Sequence, residues 1–431
     1  MKKLTALLTA IVACSSTLDL AAQEQPRPSR RGFPVRFTET EDAHVLTLVG
    51  SRFGGRSFRV NHESNPDIIP EGCSIERINL RGGKSEGVEL VRINNGNLAI
   101  TVIPTRGMSV LEIVHGDVRL GWDSPVKDPV HPSFINLESR GGLGWLEGFN
   151  EWMVRCGLEF AGHPGVDSFI NNTGDEAEMM LTVHGKIGNI PASTASVVID
   201  KKAPHRIRVR GTVHERMFYG PKLQLGAEIS TEPGSTTFRI DDSITNHGAF
   251  PQEFQIIYHG NYGSSILEKG ARIHTATKSV APMNDHAGKA VKTWHTYAGP
   301  TKGFIEEVYL FEPIADDSGH ATAVLANKAG DLATSVRWLT KQLPYLTVWK
   351  NTADKRDGYV TGIEPATGYP YNRSVERKAG RVPKLAPGAT RKFGLEFGIL
   401  KGKNAVSKAV AKIDALSDSE PVLHNKPPKA E

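Results

Sequence analysis

From Phe37 onward, apolar and polar residues alternate in short runs broken by glycine, proline and Asx turns, the pattern of strands rather than helices. Val45-Leu46-Thr47-Leu48 is one such run, and Leu98 to Ile103 is another, stopped by Pro104. Arg206 to Val213 alternates basic and apolar side chains with period two, which predicts a strand with one buried and one solvated face. Leu223, Leu225, Ala227 and Ile229 share one face of the next strand, and the turn Glu232-Pro233-Gly234-Ser235 returns the chain through Thr237 to Thr245 as an antiparallel hairpin. After a turn at Leu385-Ala386-Pro387-Gly388, the run Arg391 to Leu400 puts Phe393, Leu395 and Phe397 on one face. Helical spacing is clear only in the tail, where Val406, Val410, Ile413 and Leu416 recur along one stripe. Gly144 to Leu158 reads as a short helix or an irregular loop. No repeat and no compositional break divides the chain. The expectation is an all-β fold, one large sandwich or barrel-like domain over 37–402, followed by a helix and frayed tail over 403–431.

Composition narrows this little. A hydrophobic fraction of 39% with 43 Gly and 26 Pro suits a turn-rich globular chain of 431 residues. A net charge of +5, with acids and bases interspersed and no basic stripe, argues against nucleic acid as a partner. The N-terminus reads as an export signal over 1–22: Lys2 and Lys3 precede an apolar core, Leu4 to Ala13, too short to span a bilayer. Cleavage after Ala22 would release a soluble periplasmic or extracellular protein. The stretch Ile11-Val12-Ala13-Cys14 also resembles a lipoprotein box, which would anchor the chain through Cys14. Residues 23–36, rich in proline and arginine, form a disordered lead-in. Of three cysteines, Cys73 and Cys156 remain after the signal; they either pair or stay as separate buried thiols.

The chemistry concentrates in three places. In Leu343 to Arg373, a strand ending at Val348-Trp349 is followed by a polar turn through Asp354 and Gly358 and a second apolar run, Tyr359 to Ile363. That run delivers Glu364 and is expected to stop at Pro365, because proline has no amide for a continuing ladder. A carboxylate there is costly to bury unless paired, and is suited to act as a base of raised pKa. Leu181-Thr182-Val183-His184-Gly185 places a histidine at the end of an apolar run, with a glycine that allows close approach. Ile256-Ile257-Tyr258-His259-Gly260-Asn261-Tyr262-Gly263 repeats that arrangement. Gly82-Gly83-Lys84-Ser85 is not a phosphate loop, since Ile78 stands where its first glycine belongs. No ligand spacing calls for a metal, and no cofactor motif occurs.

These residues, in the order His184-Gly185, Asn246, Tyr258-His259-Gly260-Asn261-Tyr262-Gly263 and Gly362-Ile363-Glu364-Pro365, resemble the aldose 1-epimerase (galactose mutarotase-like) superfamily. The closer resemblance is to its bacterial branch catalogued as a domain of unknown function (DUF4432-like). Pro104-Thr105-Arg106-Gly107-Met108, Gly121-Trp122, Gly141-Gly142-Leu143, Cys156-Gly157-Leu158 and Leu385-Ala386-Pro387-Gly388 support it over roughly Leu98 to Leu400. The resemblance implies a β-supersandwich that holds a sugar or glycoside. It makes Glu364 the base that takes the anomeric proton, His259 the acid that protonates the ring oxygen, and His184 an assistant. Arg106, Asn261, Trp349 and Trp145 become candidates for substrate binding; His163 and His247 receive no role. Lys186-Ile187-Gly188 stands where the sugar-phosphate branch has an arginine, which with export favours a neutral or acidic free sugar or a glycoside. Two rivals remain: an eliminase acting on oxidised (keto) glycosides with the same His and Glu, and a non-catalytic carbohydrate-binding protein.

Overall fold

The computed structural model describes residues 35–49, 56–417 and 419–428. The expected export signal, with Cys14, and nearly all of the lead-in lie outside the described residues. Among these, no helix is long and apolar enough to cross a membrane.

Among the described residues of the unit Phe37–Glu431, two large, mostly antiparallel sheets, of 10 and 13 strands, carry the fold, with two small two-stranded sheets beside them. The 10-stranded sheet is built from the alternating runs. Ile207–Arg216, Lys222–Thr231, Thr237–Asn246 and Thr390–Lys401 are neighbours in it, and their inward positions Leu223, Leu225, Ala227, Ile229, Phe393, Leu395 and Phe397 are all buried. Period-two burial on one face and solvent on the other is what an antiparallel outer layer requires. The sheets meet through Trp152, whose ring lies 5.4 Å from Phe238 and 5.1 Å from Phe397 of the facing layer. The tail helix, Lys403–Asp414, packs Val406, Val410 and Ile413, with Leu416 just beyond it, on an apolar patch that includes Val324 and Ala333.

Four central strands of the 13-stranded sheet differ in character: β1 (Met153–Leu158), β2 (Gln255–Tyr262), β3 (Tyr345–Asn351) and β4 (Val360–Ala366), which lie side by side in the order β3-β4-β2-β1. All of β1, β2 and β4 is buried. One face looks at the opposite sheet and the other at a cluster that includes Trp122, Trp145, Phe149, Cys156 and Ile257. Burial on both faces removes the period-two signature, and two expectations fail for that reason. The second half of Gly144 to Leu158 is neither helix nor loop but β1; only Gly144–Gly148 is a short 3-10 turn. Pro365 does not end its strand: it pairs with Leu346, and Ala366 pairs with both Tyr345 and Ile257. Glu364 therefore sits inside β4, in the middle of the sheet. Cys73 and Cys156 are buried and free.

Candidate active site

The register of these strands assembles the site. Ile257 pairs with Ala366 and Gly260 with Ile363, so His259 on β2 comes opposite Glu364 on β4. Glu364 pairs on its other side with Thr347 of β3, and His259 pairs with Val154 of β1. Cross-strand partners project to the same face, which brings His259 Nε2 to 3.4 Å from Glu364 Oε1. Gly362 makes room for this, because a Cβ there would stand 2.4 Å from Glu364 Oε1.

His184 arrives differently. Its expected strand, Glu176–Leu181, stops three residues earlier and belongs to a largely exposed hairpin with Gly165–Ile170. The histidine lies in a turn with φ of 61°, a left-handed conformation rare for a residue with a side chain. The turn is held from both sides: His184 N–H donates to the Gly162 carbonyl, its carbonyl accepts from Gly157 N–H, and Lys186 N–H donates to the Gly157 carbonyl. Strain of this kind persists only where surroundings enforce it, and it concentrates at working sites. Here it aims the imidazole at His259, with ring centroids 5.3 Å apart.

Aromatic walls enclose the two histidines. Trp145 lies 4.8 Å from His184 and 6.1 Å from His259, Phe149 5.4 Å from His259, and Trp349 5.6 Å from His259. Exposure falls from rim to floor. His163 and Glu306 are exposed, His184 and Trp349 partly so, and His259 and Glu364 only 4% and 2%. Along this descent Glu364 Oε1, His259 Nδ1, His184 Nδ1, Asn261 Oδ1, Trp145 Nε1 and Thr347 Oγ1 are buried with no hydrogen-bond partner in the protein. Each such group costs about 1–3 kcal/mol, and six together are the expected lining of a place where polar groups of a ligand complete the bonds.

Burial sets the protonation of the floor. It pushes the Glu364 carboxyl up to about 8, with the Glu306 charge adding to the effect. It drives His259 down to about 4, against the Asn261 side chain, which favours the charged ring. His184 falls well below its ordinary value, by burial and by the neighbouring His259 and His163. Groups this close titrate as a pair, and burial favours the uncharged arrangement, with the proton on Glu364 and a neutral His259.

The expected substrate-binding residues divide. Trp145, Trp349 and Asn261 stand in the site; Asn261 is fully buried and anchors itself by donating to the carbonyls of Glu151 and His259. Arg106 does not reach it as a free group. It is fully buried, 2.9 Å from Glu151, and donates through Nε and Nη1 to the carbonyls of Gly188, Val130 and Gly148, which leaves only Nη2 without a hydrogen bond. Asn246, one of the motif residues, secures a loop through the carbonyls of Phe250 and Leu385. Two residues of the site carried no signal in the sequence. His163 was left without a role, and Glu306 lies in the polar stretch before the strand Glu307–Pro313; both are brought to the rim by loops. Among the described residues no group of His, Cys, Asp and Glu is arranged to hold a metal ion. A separate cavity of about 390 Å³ opens on the 10-stranded sheet, but its Arg239 is paired with Asp241 and Glu396, and none of the site's residues line it.

Comparison with known proteins agrees with this fold. The model of the family described as "Domain of unknown function (DUF4432)" matches residues 85–399. A crystal structure from Klebsiella pneumoniae subsp. pneumoniae, provisionally named an aldose 1-epimerase, is 43% identical, covers 89% of this chain and 99% of its own, and superposes with a TM-score of 0.82. A galactose mutarotase-like protein from Clostridium acetobutylicum shares the fold at 15% identity, with a TM-score of 0.52 over 76% of this chain and 98% of its own. Among curated proteins the comparison finds no match. The expected galactose mutarotase-like β-supersandwich, a single large domain, is thus the fold observed.

Proposed function

The chain belongs to the DUF4432 family, and within it we propose a carbohydrate-active enzyme of aldose 1-epimerase type, an isomerase that interconverts sugar anomers by acid–base ring opening. The observation that carries this reading is the buried His259–Glu364 pair, 3.4 Å apart. The name of the Klebsiella relative points the same way.

Ring opening needs one proton removed from the anomeric hydroxyl and one delivered to the ring oxygen. With the proton resting on Glu364, the carboxyl is the acid and the neutral His259 imidazole the base, the reverse of the roles that the family resemblance implies. His259 takes the anomeric proton, Glu364 gives its own to the ring oxygen, the bond from the anomeric carbon to the ring oxygen breaks, and the anomeric oxygen becomes the aldehyde. The pair is then carboxylate and imidazolium. Rotation of the aldehyde and closure on its other face return both protons, so no exchange with solvent is required. Each group is expected to contribute about 10²–10⁴-fold, or about 3–5 kcal/mol of barrier. His184, kept neutral by burial, and Asn261 offer hydrogen bonds to the sugar hydroxyls. Trp145, Phe149 and Trp349 offer ring faces to its apolar side.

Polarimetry or NMR on freshly dissolved α-anomers tests the proposal. Wild type is expected to accelerate anomer exchange, and Glu364→Gln and His259→Gln to lose at least about 10² of that rate. Equal rates for wild type and Glu364→Gln would remove the catalytic assignment. Release of the aglycone from a 3-keto-glycoside without anomer exchange would replace it by elimination. We propose further that the protein works after export from the cytoplasm, as its N-terminal pattern suggests. Cell fractionation with N-terminal sequencing tests this, and a cytoplasmic protein that keeps Met1 would overturn it.

A further inference from the structure

Glu306 is exposed at the rim, yet its carboxylate accepts Trp349 Nε1–H at 2.7 Å. An indole has that one donor only, so the bond fixes the outer edge of a ring whose inner side packs 5.6 Å from His259 and 6.1 Å from Phe149. The charge of Glu306 also reaches past the ring. It adds to burial in raising the Glu364 carboxyl, and it favours the charged form of His163. One side chain thus acts on the rim, the wall and the floor of the site.

Three buried cations, Arg106, Arg155 and Lys350, are engaged elsewhere. Arg106 is paired with Glu151, and Arg155 with Asp242. Lys350, next in sequence to Trp349, lies 3.5 Å from Glu307 and donates to the carbonyls of Thr293 and Thr296. A sugar carrying a carboxylate or a phosphate would meet the Glu306 charge, with none of these three cations free to pair with it. We propose that Glu306 is a positioning and specificity residue: it holds the Trp349 wall in place and restricts the site to sugars that bear no acidic group. The inference rests on the sugar-binding reading above and deepens it by choosing between the neutral and acidic sugars that the sequence leaves open.

Two substitutions separate charge from ring-holding. Glu306→Gln keeps an oxygen that accepts from Trp349 but removes the charge; Trp349→Phe keeps the charge but removes the donor. The first readout is the titration of Glu364 by carbon-13 NMR of the glutamate carboxyls, assigned with Glu364→Gln. It needs no turnover, so a protein inactive on every sugar counts against the proposed reaction and leaves this test intact. The groups facing Glu364 are His259 on β2, Cys156 on β1, Thr347 on β3 and Glu306 at the rim, with His184, His163 and Glu151 nearby. Removing the Glu306 charge is expected to lower the Glu364 midpoint by about half a pH unit or more, while Trp349→Phe leaves it in place. The second readout is NMR-detected binding of glucose and galactose against glucuronate and galacturonate. Wild type is expected to bind the neutral pair, and Glu306→Gln to gain at least about fivefold for the acids with the neutral sugars within about twofold. An unmoved midpoint in Glu306→Gln, an equal shift in Trp349→Phe, or wild-type preference for the acids would each overturn the assignment.

Discussion

A Cβ at Gly362 would stand 2.4 Å from Glu364 Oε1 and 3.3 Å from His259 Cε1, so the smallest possible addition there collides with the carboxylate and presses on the imidazole. Gly362→Ala is expected to displace the carboxylate rather than the strand. It should lose at least about 10² in turnover and only about 1–3 kcal/mol in stability, measured by anomer exchange and by denaturant unfolding. His184 allows a cleaner separation, because asparagine adopts the left-handed region more readily than other residues with a side chain. His184→Asn should therefore match the wild-type stability within about 0.5 kcal/mol, and His184→Ala should fall about 1 kcal/mol below it; both lose the imidazole and the activity it supports. What could be read from the residues followed from local chemistry. His184, His259 and Glu364 each stand beside a glycine or proline that signals a constrained backbone, and all three meet. Arg106 carries the same kind of signal, Pro104 before it and Gly107 after, but its partner Glu151 lies far along the chain, so burial and pairing were invisible. Glu306 was silent for the opposite reason. Its neighbours are ordinary loop residues, and its importance is a matter of where the loop ends up.

At the scale of elements, alternation made five strands of the 10-stranded sheet legible, while among the strands around the site β1 was missed and the end of β4 was misplaced. β1, β2 and β4 are buried on both faces, and an apolar run without alternation states neither its register nor its end. That is why Glu364 looked like a strand terminus and why β1 looked like a loop. The His184 turn shows how a short element depends on its neighbours. A Cβ at Gly185 would lie 2.2 Å from the Phe160 carbonyl oxygen and 2.4 Å from that of Gly157, at a φ of 72° that already strains any other residue. Both obstacles are backbone, which cannot swing aside as a side chain can. Gly185→Ala is expected to cost about 1–3 kcal/mol or more. Because it moves the Gly157–His184 contact, it should lower activity together with stability, unlike Gly362→Ala. Paired unfolding and turnover measurements on the two alanine variants distinguish an element that holds the site from a residue that only leaves room in it.

For the whole molecule, the two sheets are joined behind the site by a buried ionic group. Arg155 of β1 donates to Asp242 of the facing sheet, with Nη2 at 2.9 Å from Oδ1, and the Tyr258 hydroxyl donates to the same carboxylate at 2.9 Å. Tyr258 adjoins His259 in β2, so this anchor fixes the strand that carries the proposed base. Asp242→Ala would strand a buried guanidinium and is expected to cost about 3–5 kcal/mol. The active pair acts on stability in the other direction, with a pH dependence of its own. Glu364 titrates at about 8 in the folded chain against an ordinary value of 4.5, so between these limits the folded state holds a proton that the unfolded state has released. Its contribution is therefore fully present below about pH 4.5 and is lost as pH rises through about 8. His259, lowered from 6.5 to about 4, works oppositely: its contribution is present above about 6.5 and is lost as pH falls through about 4. Glu364→Gln removes only the first dependence. Relative to wild type it should gain stability steadily from pH 5 to pH 8 and level off beyond, as read from unfolding midpoints at fixed protein concentration. Activity over the same range is expected to follow the single shared proton. Below about pH 4 a second proton leaves no base, and above about pH 8 the last one departs and leaves no acid, so the rate is expected to rise, hold level and fall between these limits. A rate that keeps climbing beyond pH 9, with no relative gain in stability for Glu364→Gln, would mean that the buried carboxyl is not the group that gives and recovers the proton.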